Sequence, residues 1–112
     1  MENELIFCSS ENKKMFKTEN LINVYDKSNF SKIFSDASLV KILENDAINE
    51  SVDAFIQGDL NFSIASQKSF VHRNTLIYRI TKIKNLIGLD LKKFDDCVLY
   101  QNVRIVYKKF YK

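Results

Sequence analysis

The spacing of apolar residues predicts a mainly helical chain whose clearest element lies in its second half. Four apolar residues there follow the i, i+4, i+7, i+11 spacing of a buried helical stripe: Leu76, Ile80, Ile83 and Ile87. We therefore predict a helix that begins near residues 72–74 and runs to about Ile87. Gly88 follows directly and is well suited to end this helix.

A shorter helix is predicted just upstream, across a sharp turn. Asn61 or Ser63 can cap its start, because both side chains can accept hydrogen bonds from the unpaired amides of a first turn. Its inner face is predicted to carry Phe62, Ala65 and Ser69, and the small Ala65 would allow the next helix to cross closely. A short helix, a turn and a longer helix together form the arrangement of a helix-turn-helix.

Two more helices are predicted before this pair, because their apolar faces do not align. The apolar residues of segment 39–43 share one helical face, and those of segment 48–56 share another, rotated by roughly half a turn. One straight helix cannot bury both faces against the same neighbour. We predict a break near residues 44–46, with Asn45 or Asp46 as the next cap, and a left-handed Gly58 at the end of the second helix.

The two ends of the chain carry weaker patterns. Leu5–Cys8 and Leu21–Tyr25 are short apolar runs that can pair as a small N-terminal β-hairpin, although such runs are ambiguous between strand and helix. Ser28 or Asn29 can cap a short helix after them, and Asp95 is predicted to cap a last helix. Its predicted inner stripe is Leu99, Val103, Val106 and Phe110, and beside it lies a tyrosine stripe of Tyr100, Tyr107 and Tyr111.

Length and composition fit one small domain with an N-terminal arm. The 112 residues include no proline and two glycines, which favours helices joined by short breaks. We assign residues 1–36 to an N-terminal segment and residues 37–112 to the helix-turn-helix domain. No apolar run approaches the ~18–20 residues of a membrane span. Cys8 and Cys97 form no CxxC pair, so we expect a cytoplasmic protein with reduced thiols.

Charge is distributed unevenly along the chain. Residues 1–59 carry six lysines against eleven acidic residues, a net charge of −5, while residues 60–112 carry eleven basic residues against three acidic ones, a net charge of +8. A basic half of this kind fits a polyanionic partner, although a solvated basic face is the simpler alternative.

The polar residues of the predicted helix pair carry the candidate chemistry. With the apolar stripe facing inward, one side of the longer helix presents hydrogen-bonding and basic groups, and its first residues would project into a groove. Arginine, asparagine and histidine can bond base edges, and hydroxyl and lysine groups suit phosphate oxygens. The predicted DNA-contacting residues are Asn61, Ser63, His72, Arg73, Asn74, Thr75, Tyr78, Arg79 and Lys82.

Residues 70–91 also resemble a known family. The run Phe70-Val71-His72-Arg73-Asn74-Thr75-Leu76, followed by Tyr78-Arg79 and by Gly88-Leu89-Asp90-Leu91, is similar to the C-terminal helix-turn-helix of PucR/CdaR-type bacterial transcriptional regulators. The resemblance spans roughly residues 46–107, and the turn is also similar to the Fis type, which binds DNA as a dimer. It implies that His72 and Arg73 approach bases while Thr75, Tyr78, Asn61 and Ser63 hold phosphates.

The chain departs from that family pattern in two places. Only about 45 residues stand where members usually carry large sensory domains, so no inducer can be assigned. Ser69 stands where the family usually places leucine. If Ser69 faces the core, replacing it by leucine should stabilise the domain, and this is the outcome we expect. If it bonds the turn backbone instead, leucine should destabilise it.

Other classes of function fit the sequence less well. A catalytic triad or a histidine metal site would have to use the single histidine, His72, and neither metal-ligand spacing nor a glycine-rich phosphate loop is present, so we expect no enzyme and no cofactor. The alternative is a protein-interaction or regulatory subunit that kept a helix-turn-helix, and RNA binding ranks third. We expect a homodimer built from Leu5–Cys8, Leu21–Tyr25, the Leu39–Leu43 face or the tyrosine stripe.

Overall fold

The structure is a computed structural model that describes residues 24–111, and it confirms a mainly helical fold. The helices that lie wholly within these residues are α1 Phe30–Ile33, α2 Ala37–Leu43, α3 Asp46–Gln57, α4 Phe62–Ser69, α5 Arg73–Ile87 and α6 Phe94–Val106. A 3-10 turn, Lys27–Asn29, precedes α1, and a π-helical turn, Tyr107–Tyr111, continues α6. No strand occurs within residues 24–111, and the predicted β-hairpin lies outside them apart from Val24 and Tyr25.

One apolar core joins most of these helices. The predicted inner residues of α5 take part in it as expected, and Ile80, Ile83 and Ile87 are at most 1% exposed. The same core contains side chains of α2, α3 and α6. Burial of such apolar stripes is what stabilises short helices. The largest fully buried members of this core are Phe55, Ile33, Leu39, Ile42 and Tyr100.

The predicted break between the two early helices is confirmed. Helix α2 ends at Leu43 and α3 begins at Asp46, with Asn45 as its cap: Oδ1 of Asn45 accepts a hydrogen bond of 2.9 Å from the amide of Ile48. Asn49, one turn further on, is buried, and its side-chain amide donates to three backbone oxygens at the junction. These are the carbonyls of Ile42, Leu43 and Asn45, at 2.9, 3.2 and 2.9 Å.

The predicted left-handed cap at Gly58 is wrong. Gly58 has φ −91°, and the left-handed residues are the next two, Asp59 at φ 58° and Leu60 at φ 60°. Glycine is needed at position 58 for space, because a Cβ built there would lie 2.7 Å from the Cα and N of Ala65. The close crossing that Ala65 permits is therefore made with the end of α3.

The C-terminal helix differs from its prediction in two ways. Helix α6 starts at Phe94, so the residue before it is Lys93, and Asp95 lies within the first turn instead of capping it. Phe110 is 56% exposed and does not belong to the inner stripe, because the π-helical turn shifts the register after Val106.

Of the surfaces predicted to form a dimer interface, one is covered within the monomer and another is covered in part. The Leu39–Leu43 face is buried, as Leu39, Ile42 and Leu43 are each at most 5% exposed. In the tyrosine stripe, Tyr100 is fully buried and Tyr107 is 5% exposed, whereas Tyr111 is 46% exposed. The ring of Phe34 lies 5.1 Å from the ring of Tyr107 and 4.7 Å from that of Tyr111, centroid to centroid, so Phe34 covers part of this stripe.

The part of the chain between residues 24 and 111 contains no helix that is both long and apolar enough to cross a membrane.

Candidate nucleic-acid interface

Helices α3, α4 and α5 meet around small side chains. Ala54 of α3, Ala65 of α4 and Leu76 of α5 form a second buried cluster, with Phe62 and Val71 packed against it. Because two of the three central side chains are alanines, the helix axes can approach closely. The ring of Phe62 also stacks on Phe55 of the main core, with 4.6 Å between centroids. The short α4 is thereby fixed relative to α5.

Hydrogen bonds from two serines hold the turn between α4 and α5. The hydroxyl of Ser66 donates to the carbonyl of Val71 at 2.7 Å, and the hydroxyl of Ser69 donates to the carbonyl of Ala65 at 2.7 Å. The amide of Val71 in turn donates to Oγ of Ser69 at 3.2 Å. This hydroxyl completes the turn instead of facing the core, so the condition under which we expected leucine to stabilise the domain is not met.

Phe70, the first residue of the family-like run, occupies the turn itself. Its backbone is left-handed, with φ 62°, and its side chain is 94% exposed. A left-handed conformation is unfavourable for a residue with a Cβ, so surrounding contacts must hold it. The two serine hydroxyls and the hydrogen bond of 2.9 Å from the Phe70 amide to the carbonyl of Ser66 provide those contacts.

The starts of both helices are capped by residues predicted as DNA contacts. Asn61 caps α4, since its Oδ1 accepts a hydrogen bond of 3.0 Å from the amide of Ile64, and Ser63 lies exposed in the first turn. His72 caps α5, since its Nδ1 accepts a hydrogen bond of 3.1 Å from the amide of Asn74. In that arrangement a neutral imidazole carries its proton on Nε2, which is then available as a donor.

The outward face of α5 presents polar groups in a row. Arg73, Asn74, Tyr78 and Lys82 are exposed, and Thr75 is partly exposed at the edge of the row. The ammonium group of Lys82 lies 5.9 Å from the centroid of the Tyr78 ring, within range of a cation–π contact. This contact connects two side chains one helical turn apart and orders the middle of the row.

Arg79 is held against α3 instead of extending from the row. Its Nη1 donates to Oγ of Ser51 at 2.9 Å and to the carbonyl of Ala47 at 3.3 Å. These two hydrogen bonds fix the orientation of α5 relative to α3. Sequence reasoning could not find Ser51 as a partner, because the two residues are 28 positions apart.

The far end of α5 is joined to α6 by an aspartate pair. The amide of Asp90 donates to Oδ2 of Asp96 at 2.9 Å, and Oδ1 of Asp90 accepts from the amide of Lys92 at 3.1 Å. The carboxylate of Asp90 also lies 3.9 Å from Nζ of Lys84. The segment Gly88-Leu89-Asp90-Leu91 thus fixes the C-terminal end of α5, the candidate recognition helix, through hydrogen bonds of the segment's backbone and of the Asp90 side chain.

The arrangement has the geometry of a helix-turn-helix: α4 and α5 are packed on α3, and the polar face of α5 is left open. Residues 49–102 match the PucR C-terminal helix-turn-helix domain, so this part of the chain is a PucR-type helix-turn-helix domain and the family resemblance is confirmed. Domains of this type belong to transcriptional regulators, which suggests DNA-binding regulation, and the family is not a class of enzymes.

Two bacterial regulators are among its relatives. The carbohydrate diacid regulator of Escherichia coli (strain K12) is 36% identical over 63 residues, which cover 56% of this chain and 16% of the regulator. The proline-responsive transcriptional activator PutR of Bacillus subtilis (strain 168) is 28% identical over 78 residues, which cover 66% of this chain and 19% of the activator. The chain thus spans about a fifth or less of these two proteins. No solved structure matches it.

Proposed function

We propose that this protein binds duplex DNA sequence-specifically and regulates transcription, with α5 lying in the major groove. The observation that carries the proposal is the exposed polar row of α5, held by a turn and two neighbouring helices whose geometry is fixed by buried contacts. A side chain can discriminate bases only if the helix that carries it is held in a defined position.

Electrostatics supports a nucleic-acid partner for this face. Between Asn61 and Gly88 the chain has five Lys and Arg residues and no acidic residue. The acidic residues of α3 that approach the helix pair lie on its other side: Asp53, for example, pairs with Arg104 of α6 at 2.6 Å. Within residues 61–88, the face that would meet DNA therefore carries only neutral or basic side chains, which favours phosphate binding.

Each predicted residue receives a role from its position. Arg73 and His72 stand at the start of α5, where side chains reach base edges, and Asn74 begins the exposed row behind them. Thr75, Tyr78 and Lys82 would bind phosphates along one strand, and Asn61 and Ser63 at the start of α4 would bind a phosphate of the other. Arg79 would act mainly by orienting α5, with its remaining N–H groups available to the backbone.

The protein would act as a homodimer in the cytoplasm, where bacterial DNA lies. One recognition helix reads only a few base pairs, and two copies could read half-sites about one helical turn apart, roughly 34 Å. What the two relatives are named for, a carbohydrate diacid and proline, does not suggest a ligand here, because the matched region is limited to the helix-turn-helix part of those proteins.

Selection of duplex DNA from a random library by the purified chain tests this function. We expect an enriched motif, with affinity falling steeply as salt rises, because each phosphate contact contributes about 0.9 to the slope of log K against log salt. Binding without an enriched motif, or affinity that does not change with salt, would rule out sequence-specific recognition. The alternative of a protein-interaction subunit would then be preferred.

A further inference from the structure

The turn between α4 and α5 exposes an aromatic ring that the DNA contacts named above do not include. Phe70 is 94% exposed, the largest value among the exposed large apolar side chains of residues 24–111. Its ring belongs to neither of the buried clusters described within these residues, whereas Val71, the next residue, packs against the cluster around Ala65. The fold of the described residues therefore gains little from this ring.

The backbone at this position would also favour a different residue. Phe70 has φ 62°, a left-handed conformation that glycine adopts without strain and that is unfavourable for a residue with a Cβ. The turn holds this conformation through the hydrogen bond from the Phe70 amide to the carbonyl of Ser66 and through the hydroxyl of Ser69. Strained residues concentrate at functional sites, so the exposed ring is a candidate for contact with a ligand.

The ring is attached beside the residues proposed to approach bases. His72, two positions further on, caps α5, and Arg73 is the first residue of that helix. Two residues of chain span at most about 7 Å, so the Cα of Phe70 lies closer to the cap of α5 than the ~12 Å width of a major groove. The serine hydrogen bonds of the turn fix this attachment relative to α5. A groove that receives the start of α5 would therefore lie within reach of the ring.

Charge around the turn indicates duplex DNA as the partner of this ring. Lys68 and Arg73 lie on either side of Phe70 in the chain, and no acidic residue occurs between Asn61 and Gly88. Basic side chains bind the phosphates that border a groove, and the apolar feature on the floor of the major groove is the 5-methyl group of thymine. Phenylalanine is one of the side chains that make an apolar contact with this methyl group.

We propose that Phe70 contacts the 5-methyl group of a thymine next to the bases that the start of α5 reads. The inference rests on the proposed function and deepens it, because it adds a specificity-determining residue that acts by apolar contact and not by a hydrogen bond. Thymine is then preferred at one position of the bound sequence. Deoxyuridine pairs in the same way but lacks the methyl group, so it binds less well at that position.

Replacing single thymines of the selected duplex by deoxyuridine measures this contact. By fluorescence anisotropy, the wild-type chain should lose about fourfold in affinity at one such position, which corresponds to ~0.8 kcal/mol for one buried carbon group. Phe70→Ala should bind the thymine duplex more weakly by a similar factor and should no longer distinguish the two duplexes. Phe94→Ala is the matched control, because Phe94 is 72% exposed on α6, and this variant should behave as the wild type.

Phe70→Gly separates binding from folding. It removes the ring and relaxes the left-handed backbone, so this variant should melt no lower than the wild type and should lose the same thymine preference. A lower melting temperature would show that the ring packs on the protein, and this would overturn the proposal.

Two results with the selected duplex overturn the inference and leave the proposed function intact. If Phe70→Ala binds as tightly as the wild type, the ring does not touch DNA, and a protein partner becomes the preferred occupant. If Phe70→Ala weakens both duplexes but keeps their ratio, the ring contacts the sugar-phosphate chain and not the methyl group. If the wild-type chain selects no sequence at all, the proposed function fails and this inference fails with it.

Discussion

The hydroxyl of Tyr100 on α6 donates a buried hydrogen bond of 2.6 Å to Oδ1 of Asn49 on α3. The same Asn49 donates through its Nδ2 to the backbone at the end of α2. One amide side chain therefore joins three helices, and all of its hydrogen-bonding groups are used. Burial also raises the pKa of the Tyr100 phenol, so this hydroxyl keeps its proton.

Tyr100→Phe should destabilise the protein by about 1–3 kcal/mol, because it leaves Oδ1 of Asn49 buried without a donor. Urea unfolding followed by circular dichroism measures this change. Tyr25→Phe is the matched control: it removes a hydroxyl that donates to Oδ1 of Asn102 at an exposed site, where water can replace it, and should cost less than about 0.5 kcal/mol. Equal losses in both variants would contradict a special role for the buried pair.

Stability should fall above pH 10, in part through Tyr107. Its hydroxyl donates to Oε2 of Glu44, and this bond, together with burial, raises the pKa of Tyr107 from 10.0 to about 12. A group whose pKa is higher in the folded state stabilises the protein below its unfolded pKa. That contribution is lost as pH rises from about 10 to about 12.

Tyr107→Phe removes the titrating group and tests this contribution. The free energy of unfolding of this variant should decline less steeply between pH 10 and pH 12 than that of the wild type. Chemical unfolding at several pH values measures the two slopes. Identical slopes would show that the bond to Glu44 does not contribute in this window.

Gly58→Ala should destabilise the domain by about 2–3 kcal/mol, the cost of overpacking a closely packed site. The new Cβ would lie 2.7 Å from backbone atoms of Ala65, and backbone cannot move aside as a flexible side chain can. Asp59→Ala, at the next position, is the control for changes in loop charge. A thermal melt that shows Gly58→Ala unchanged would mean that α4 can shift away from α3 at little cost.

Ser69→Leu should lower the melting temperature, because the amide of Val71 loses its acceptor and the carbonyl of Ala65 loses its donor. We expect a loss of about 1–2 kcal/mol, as for other lost hydrogen bonds that are partly buried. Ser69→Ala separates the two effects, since it removes the same bonds without adding bulk. If leucine proves more stable than alanine by a wide margin, apolar burial outweighs the turn bonds at this site.

Arg73→Ala and Lys82→Ala should affect DNA binding in different ways. Loss of Arg73 should cost about 1–3 kcal/mol on the preferred site and relax the sequence preference, because it would remove a base contact. Loss of Lys82 should weaken all sequences similarly and reduce the salt slope by about 1. Fluorescence anisotropy with the selected site and with a scrambled duplex measures both effects. Equal, sequence-independent losses would remove Arg73 from base reading.

Local patterns in the sequence predicted the helices that carry the site. The apolar stripe of α5 and the caps at Asn45 and Asn61 depend on spacing and hydrogen bonding within a few residues. Such local features can therefore be predicted from the sequence alone. The exposed row of Arg73, Asn74 and Lys82 follows from the same stripe, because residues on the other side of a buried helix face must meet solvent.

Contacts between distant segments had to come from the tertiary structure. The sequence predicted that the tyrosine stripe is available for a dimer interface, but Phe34 packs on Tyr107, 73 positions away. Arg79 reads as a DNA contact, but Ser51 binds its guanidinium. The sequence predicted Gly58 as a left-handed cap, but glycine is needed there because Ala65 lies so close.

The sequence by itself determined which helices form and which side chains α5 exposes, because periodicity and capping act locally. The tertiary structure alone decided which faces meet, because that depends on shape and space between residues far apart in the chain.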